Sequence, residues 1–241
     1  GWNQSNRPYI VVYANPSCGN NYLGSLSITT SWQNVTCPSG SVPYWSFNAT
    51  AGRRYDFSTC GASEDTYIRI YDASMTQVAY NDDNGDFCSG TAASISWNCS
   101  TSGTYYISVA HYSCNNLSSN QTLSYRYVCA NTNRGSITPT LSWQNASYSS
   151  GTMPYWSFNA TAGNYYDFSM CSNSEDSYLR IYDSGWNLVA SNDDNGPWCS
   201  GVSSSISWYC STSGTYFVAV SHYSCGNLSN GGNLAYKYHP N

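Results

Sequence analysis

The sequence predicts an all-β protein: two tandem antiparallel β-sandwich domains preceded by an N-terminal extended arm. Three observations predict it. The block YWSFNATAGRRYDFSTCGASEDTYIRIYD at Tyr44–Asp72 returns as YWSFNATAGNYYDFSMCSNSEDSYLRIYD at Tyr155–Asp183, with seven differences in 29 positions. Along short runs apolar and polar residues alternate, and no stretch shows a 3.6-residue period. Turn-forming clusters such as ATAG, DNG and STSG separate the runs.

The repeat sets the organisation. An offset of 111 residues holds without a gap from Trp32/Trp143 to Tyr127/Tyr238. It predicts an arm at 1–22, one sandwich at 23–129 and a second at 130–241, each long enough for its own core. Seven or eight short strands are expected per unit. In YWSFNA, Trp45 and Phe47 share a face. In TYIRIYD, Ile68 and Ile70 point one way while Tyr67, Arg69 and Tyr71 point the other. The many tyrosines suit outer strand faces, where the ring packs and the hydroxyl stays wet.

The arm has no counterpart in the second unit. Its residues Tyr9, Ile10, Val11, Val12 and Tyr13 form a strand that is apolar on both faces, so it is predicted to dock on a sheet of its own chain or of a neighbour. Strand donation between chains is a heterologous contact that propagates. With an unmatched cysteine nearby, it points to self-association into a homopolymer.

Composition narrows the function classes. Charged residues are 9% of the chain, against about 25% in ordinary domains. Eight Lys+Arg stand against thirteen Asp+Glu, and no basic stripe exists, which argues against nucleic-acid binding. No apolar run approaches the roughly 18 residues of a membrane helix. Eleven cysteines without a CxxC pair point away from zinc and toward disulfides, hence an extracellular or cell-surface location.

In so uncharged a chain the acidic loops stand out. Glu64 and Asp65 follow the Tyr55–Cys60 run, and Asp82 and Asp83 follow Gln77–Tyr80 in YNDDNG. Alternating strand directions bring all four to one rim. Glu175, Asp176, Asp193 and Asp194 repeat them. Converging carboxylates repel, and neither loop holds Lys or Arg. A structural Ca²⁺ is predicted, with Asn81/Asn192 and Asn84/Asn195 offering further oxygens. The competing reading is that NDDNG is a turn and nothing more.

Four cysteines recur at the same offset: Cys60/Cys171, Cys88/Cys199, Cys99/Cys210 and Cys114/Cys225. Cys60 and Cys88 flank the acidic loops, which favours Cys60–Cys88 and Cys171–Cys199. The remainder would pair as Cys99–Cys114 and Cys210–Cys225, with Cys88–Cys114 the open alternative. Cys18, Cys37 and Cys129 are left unmatched. Three being odd, at least one thiol is free or bonded to another chain.

On the YWSFNATAG strand, the EDTYIRIYD…NDDNG block and the SGTYY strand, the sequence resembles the bacterial pre-peptidase C-terminal repeat, over Leu26–Tyr127 and Ile137–Tyr238. The resemblance implies a jelly-roll-like sandwich, an extracellular location, and roles in adhesion, polymer binding or support of an attached enzyme. It also implies Ca²⁺ at Glu64, Asp65, Asp82, Asp83 and their repeats. No catalytic residue is assigned: no GxSxG elbow occurs, and His111 and His222 share strand parity with Val109 and Val220 at the edge of the core. The expected protein is non-enzymatic, a structural or adhesive subunit of a surface filament or layer. The alternative is a calcium-dependent module that binds glycan or extracellular protein as part of a larger secreted protein.

Overall fold

The computed structural model describes residues 16–171, 173 and 175–241. The predicted assembly strand Tyr9–Tyr13 lies outside them. Among the described residues every regular element is a strand, and each unit is a sandwich of two sheets. In the first unit the strands are β1 (Asn21–Leu26), β2 (Gln33–Cys37), β3 (Pro43–Ala49), β4 (Arg54–Ser58), β5 (Tyr67–Tyr71), β6 (Gln77–Asn81), β7 (Ser94–Asn98), β8 (Gly103–Ala110) and β9 (Gln121–Val128). One sheet runs β1-β3-β8-β5-β6 and the other β2-β9-β4-β7. The second unit repeats them as β10 (Thr132–Ser136), β11 (Gln144–Tyr148), β12 (Pro154–Ala160), β13 (Asn164–Ser169), β14 (Tyr178–Tyr182), β15 (Leu188–Asn192), β16 (Ser205–Tyr209), β17 (Gly214–Ser221) and β18 (Gly232–Pro240). Its sheets are β10-β12-β17-β14-β15 and β11-β18-β13-β16.

The alternation read from sequence is the alternation that fills the core. Trp45 and Phe47 from β3, Tyr55 and Phe57 from β4, and Ile68 and Ile70 from β5 meet between the sheets of the first unit. Trp156, Phe158, Tyr166, Phe168, Leu179 and Ile181 do so in the second. The outer face of β5 is covered as well: Tyr67, Arg69 and Tyr71 are all buried. Tyr71 packs with Cys18, Val42 and Ala110, while the Arg69 guanidinium lies 3.7 Å over the Tyr67 ring.

The structure extends the first unit toward the N-terminus. β1 pairs in parallel with β3, Asn21 against Pro43, as β10 pairs with β12, Thr132 against Pro154. All the other pairings between strands are antiparallel among the described residues. Residues from Cys18 onward therefore belong to the first sandwich, not to an arm. Cys18 matches Cys129 at the same offset, and each unit has nine strands among the described residues.

This match settles the cysteines. Cys60–Cys88 and Cys171–Cys199 form as predicted. Cys99–Cys114 and Cys210–Cys225 do not. Cys114 bonds Cys18 and Cys225 bonds Cys129, each tying the start of its unit to the loop after β8 or β17. Cys99 and Cys210 point into the core as buried free thiols, together with Cys37.

The two units meet at the β14–β15 hairpin and at the loop after β17. The β14–β15 tip lies on the β4–β9 face of the first unit, where Arg126 donates to the carbonyls of Trp186, at 2.8 Å, and Gly185, at 3.1 Å. The Arg54 guanidinium lies 4.0 Å over the Trp186 ring. Beneath them Asp56, fully buried, accepts from Arg54, Arg126 and Ser96. Buried charges of this kind survive only when paired and hydrogen-bonded. Asn131, at the link between units, donates to Asn227 at 2.9 Å, and Arg53 donates to the Ser224 carbonyl at 2.6 Å.

Candidate metal centre

The NDDNG loop leaves β6 and crosses the rim toward β7. Three of its five residues are used by the fold. Asn81 accepts from the Ser94 N–H at 2.8 Å, which closes the loop onto the next strand. Asn84 has φ 48°, a left-handed conformation that asparagine tolerates well, and its side chain accepts from Gly90 N–H at 3.1 Å. Gly85 passes so close to β7 that an added Cβ would stand 2.0 Å from the Ser94 carbonyl oxygen. Asn192, Asn195 and Gly196 repeat all three roles. The asparagine amide oxygens are thus engaged in building the turn and are not spare ligands, contrary to the expectation from sequence.

The two aspartates are not explained by the turn. Asp82 and Asp83 face Asp65 across the rim, with carboxylate oxygens of all three within 4.8 Å of one another; Asp176, Asp193 and Asp194 form the same triad. Oδ1 of Asp82 is buried and has no hydrogen-bond donor, and so is Oδ1 of Asp193. Burial, followed by the charges of Asp83 and Asp65, raises the Asp82 carboxyl above its ordinary range, with Arg69 opposing; Asp193 is raised by burial, Asp194 and Asp176. Three carboxylates, one of them with an orphaned buried oxygen, recur in both repeats and could hold a hard divalent cation such as Ca²⁺. The Cys60–Cys88 and Cys171–Cys199 bonds pin the two segments that carry each triad.

Glu64 and Glu175 are not part of these triads. Glu64 accepts from the Ser118 N–H at 2.9 Å, from the Ser119 N–H and hydroxyl, and from Gln121 at 3.2 Å, and its Oε2 lies 2.8 Å from His111 Nε2. Burial alone would raise its carboxyl, but these donors outweigh it and hold the group at about 2. Glu175 accepts from the Asn230 N–H, with His222 Nε2 3.9 Å away. Each Glu therefore ties the rim to the loop after β8 or β17. Sequence reasoning placed the histidines at the core edge and missed this partnership.

A family model described as the bacterial pre-peptidase C-terminal domain matches residues 153–222. The second repeat is thus similar to a pre-peptidase C-terminal domain. In the first of these repeats, residues 32–131 match a second family model, described as a domain of unknown function, DUF8695. Among solved structures, the pre-peptidase C-terminal domain of a Bacillus anthracis collagenase is 15% identical, with 45% of this chain and 93% of that one covered and a TM-score of 0.32. A Eubacterium rectale protein assigned as secreted is 10% identical over 87% of this chain and 74% of its own, with a TM-score of 0.31. The CUB1-EGF-CUB2 region of human MASP-1/3 is 10% identical over 86% and 99%, with a TM-score of 0.25. No curated protein matches the chain. Four disulfides across the two repeats fit an oxidising compartment. No helix among the described residues is long and apolar enough to cross a membrane.

Proposed function

We propose that the protein is a non-enzymatic extracellular element, a structural or adhesive subunit of a surface filament or layer whose two domains are each clamped by Ca²⁺ and which self-associates through its N-terminal strand. The observation that carries this reading is the orphaned Oδ1 of Asp82 and Asp193, each inside a carboxylate triad on a cystine-pinned rim. A cation bound there joins two loops in the folded state alone and so stabilises it. The hairpin junction and the Arg53–Ser224 hydrogen bond hold the two domains together, as a load-carrying subunit requires. Electron microscopy of the native material, with and without EDTA, tests the reading. Ordered assemblies that are lost on deletion of residues 1–15 support it; an unassembled monomer, or a melting temperature indifferent to EDTA, overturns it.

A second reading, a calcium-dependent module binding glycan or extracellular protein, is favoured by the exposed tyrosines beside the first rim. Tyr80 stacks on Tyr67 at 5.7 Å, and Tyr112 meets Tyr67 edge-on, next to Asp82. Calcium-dependent retention on polysaccharide or matrix protein, lost in Tyr80→Ala, would select this reading over the first.

A further inference from the structure

The junction inside the chain has an open counterpart on the second unit. On the first unit, contact with the Gly185–Trp186 tip leaves Arg54 at 7% and Arg126 at 2% exposure. At the 111-residue offset the second unit presents the same face with Tyr165 for Arg54 and Lys237 for Arg126. The surroundings match. Arg126 Cζ lies 4.3 Å from the Trp32 ring and 6.0 Å from Phe87, and Lys237 Nζ lies 4.9 and 4.7 Å from Trp143 and Trp198. Each aromatic pair meets edge to face. Yet Trp143 and Trp198 are 42% and 45% exposed. Beneath them Asp167 is fully buried, and neither of its oxygens accepts a hydrogen bond; Lys237 Nζ lies 3.5 Å and the His239 imidazole 3.6 Å from Oδ2. Its counterpart Asp56 is fully satisfied under the docked hairpin.

The complementary piece belongs to the first unit. The β5–β6 hairpin of the first unit is the counterpart of the tip that docks. Asp72 Oδ1 accepts from the Ser74 and Thr76 N–H groups as Asp183 Oδ1 accepts from Gly185 and Asn187. Met75 has φ 64° where Trp186 has φ 59°. Ala73 and Ser74 are exposed and Met75 is half-buried.

We propose that the Tyr165–Lys237–His239 face of the second unit receives the Ala73–Thr76 hairpin of a second copy of this chain, repeating between molecules the contact made within one. The chemistry is matched with its roles exchanged. Within the chain, an Arg54 cation lies over a Trp186 ring. Between chains, the Met75 thioether meets the stacked Tyr165 and His239 rings, 5.1 Å apart, in a favourable sulfur–aromatic contact. Lys237 takes the place of Arg126 as donor to the carbonyls of the hairpin tip. Donor and acceptor lie on different surfaces, so the contact is heterologous and adds copies in series. This inference rests on the self-association proposed above but names a surface other than the N-terminal strand.

Sedimentation velocity of the full chain across a concentration series tests it. Met75→Asp removes the donor and Trp198→Glu the acceptor, with Trp143→Ala as a second acceptor variant should the first fold poorly. Wild type is expected to grow in mass with concentration, and each variant alone to associate at least about tenfold more weakly. A donor-dead and an acceptor-dead variant mixed in equal amounts should form dimers and nothing larger, since each still owns one live surface. Wild-type association by Met75→Asp, or a mixture that stays monomeric, overturns the proposal. If deleting residues 1–15 abolishes association while Met75→Asp leaves it intact, the proposal fails and assembly through the N-terminal strand stands. If wild type never associates, both fail.

Discussion

Nε2 of His111 lies 2.8 Å from Oε2 of Glu64, and this pairing turns Glu64 away from Asp65, its neighbour in sequence. Four donors besides the imidazole converge on the same carboxylate. Glu64→Gln should cost about 1–3 kcal/mol at neutral pH, because it leaves donors of the Ser118–Ser119 turn poorly satisfied. The effect depends on pH in a defined direction. With the folded carboxyl held at about 2 against an ordinary 4.5, its contribution is fully present above pH 4.5 and is lost as pH falls toward 2. Thermal melts of wild type and Glu64→Gln should therefore converge as the buffer is taken from pH 5 to pH 2.

The Asp82 triad predicts an effect whose sign depends on metal. Without cation, Asp82 and Asp193 are half-buried, each with a buried Oδ1 beside like charges, and their carboxyls are raised. Asp82→Asn plus Asp193→Asn should then raise the melting temperature in EDTA. In saturating Ca²⁺ the same pair should lower it relative to wild type, since a cation at 100 times its Kd stabilises by about 2.7 kcal/mol per site. In EDTA the raised carboxyls favour the folded state at low pH, and that contribution fades as pH rises through their folded pKa. Differential scanning calorimetry in the two buffers reads both signs, and the same sign in both would remove the metal.

Gly85 and Gly103 separate close packing from ordinary glycine. An added Cβ at Gly85 would stand 2.0 Å from the Ser94 carbonyl, whereas at Gly103 nothing lies within 4 Å. Gly85→Ala should destabilise the first unit by more than about 2 kcal/mol, since the clash is with backbone and the rim must shift. Gly103→Ala, in β8, should stay within about 0.5 kcal/mol of wild type. Urea titrations of the two variants decide.

The cysteine map predicts a count. Native protein should resist alkylation, because Cys37, Cys99 and Cys210 are buried and burial raises each thiol, that of Cys37 to about 12, so little thiolate forms. After denaturation without reductant, mass spectrometry should find three labels, on Cys37, Cys99 and Cys210. Any label on Cys18 or Cys114 would break the assignment.

The period-two alternation made the fold readable, because a half-buried strand must alternate to be half-buried; Trp45, Phe47, Ile68 and Ile70 went where their parity sent them. The triads were readable because Asp82 and Asp83 exceed what a turn needs. Glu64 was misplaced for a physical reason: adjacent residues diverge in direction, and its partners sit more than 40 residues away in a loop without pattern. The Cys18–Cys114 bond was within reach, since Cys18 and Cys129 obey the 111-residue offset once it is followed back past Trp32. The inter-unit contact was not, because a Trp at a hairpin tip carries no periodicity that names its partner.

The long-range cystines also decide how the molecule behaves under tension. Cys18–Cys114 and Cys129–Cys225 each join cysteines 96 positions apart in sequence. When the two ends are pulled apart, force passes through sulfur and bypasses everything enclosed. Between and after the two bonds, the stretches that hold β9 and β18 remain on the path, and peeling the 14 residues from Asn115 to Val128 releases about 50 Å of chain. Stretched to its limit, the protein gives up its closing strands and keeps both sandwiches leashed.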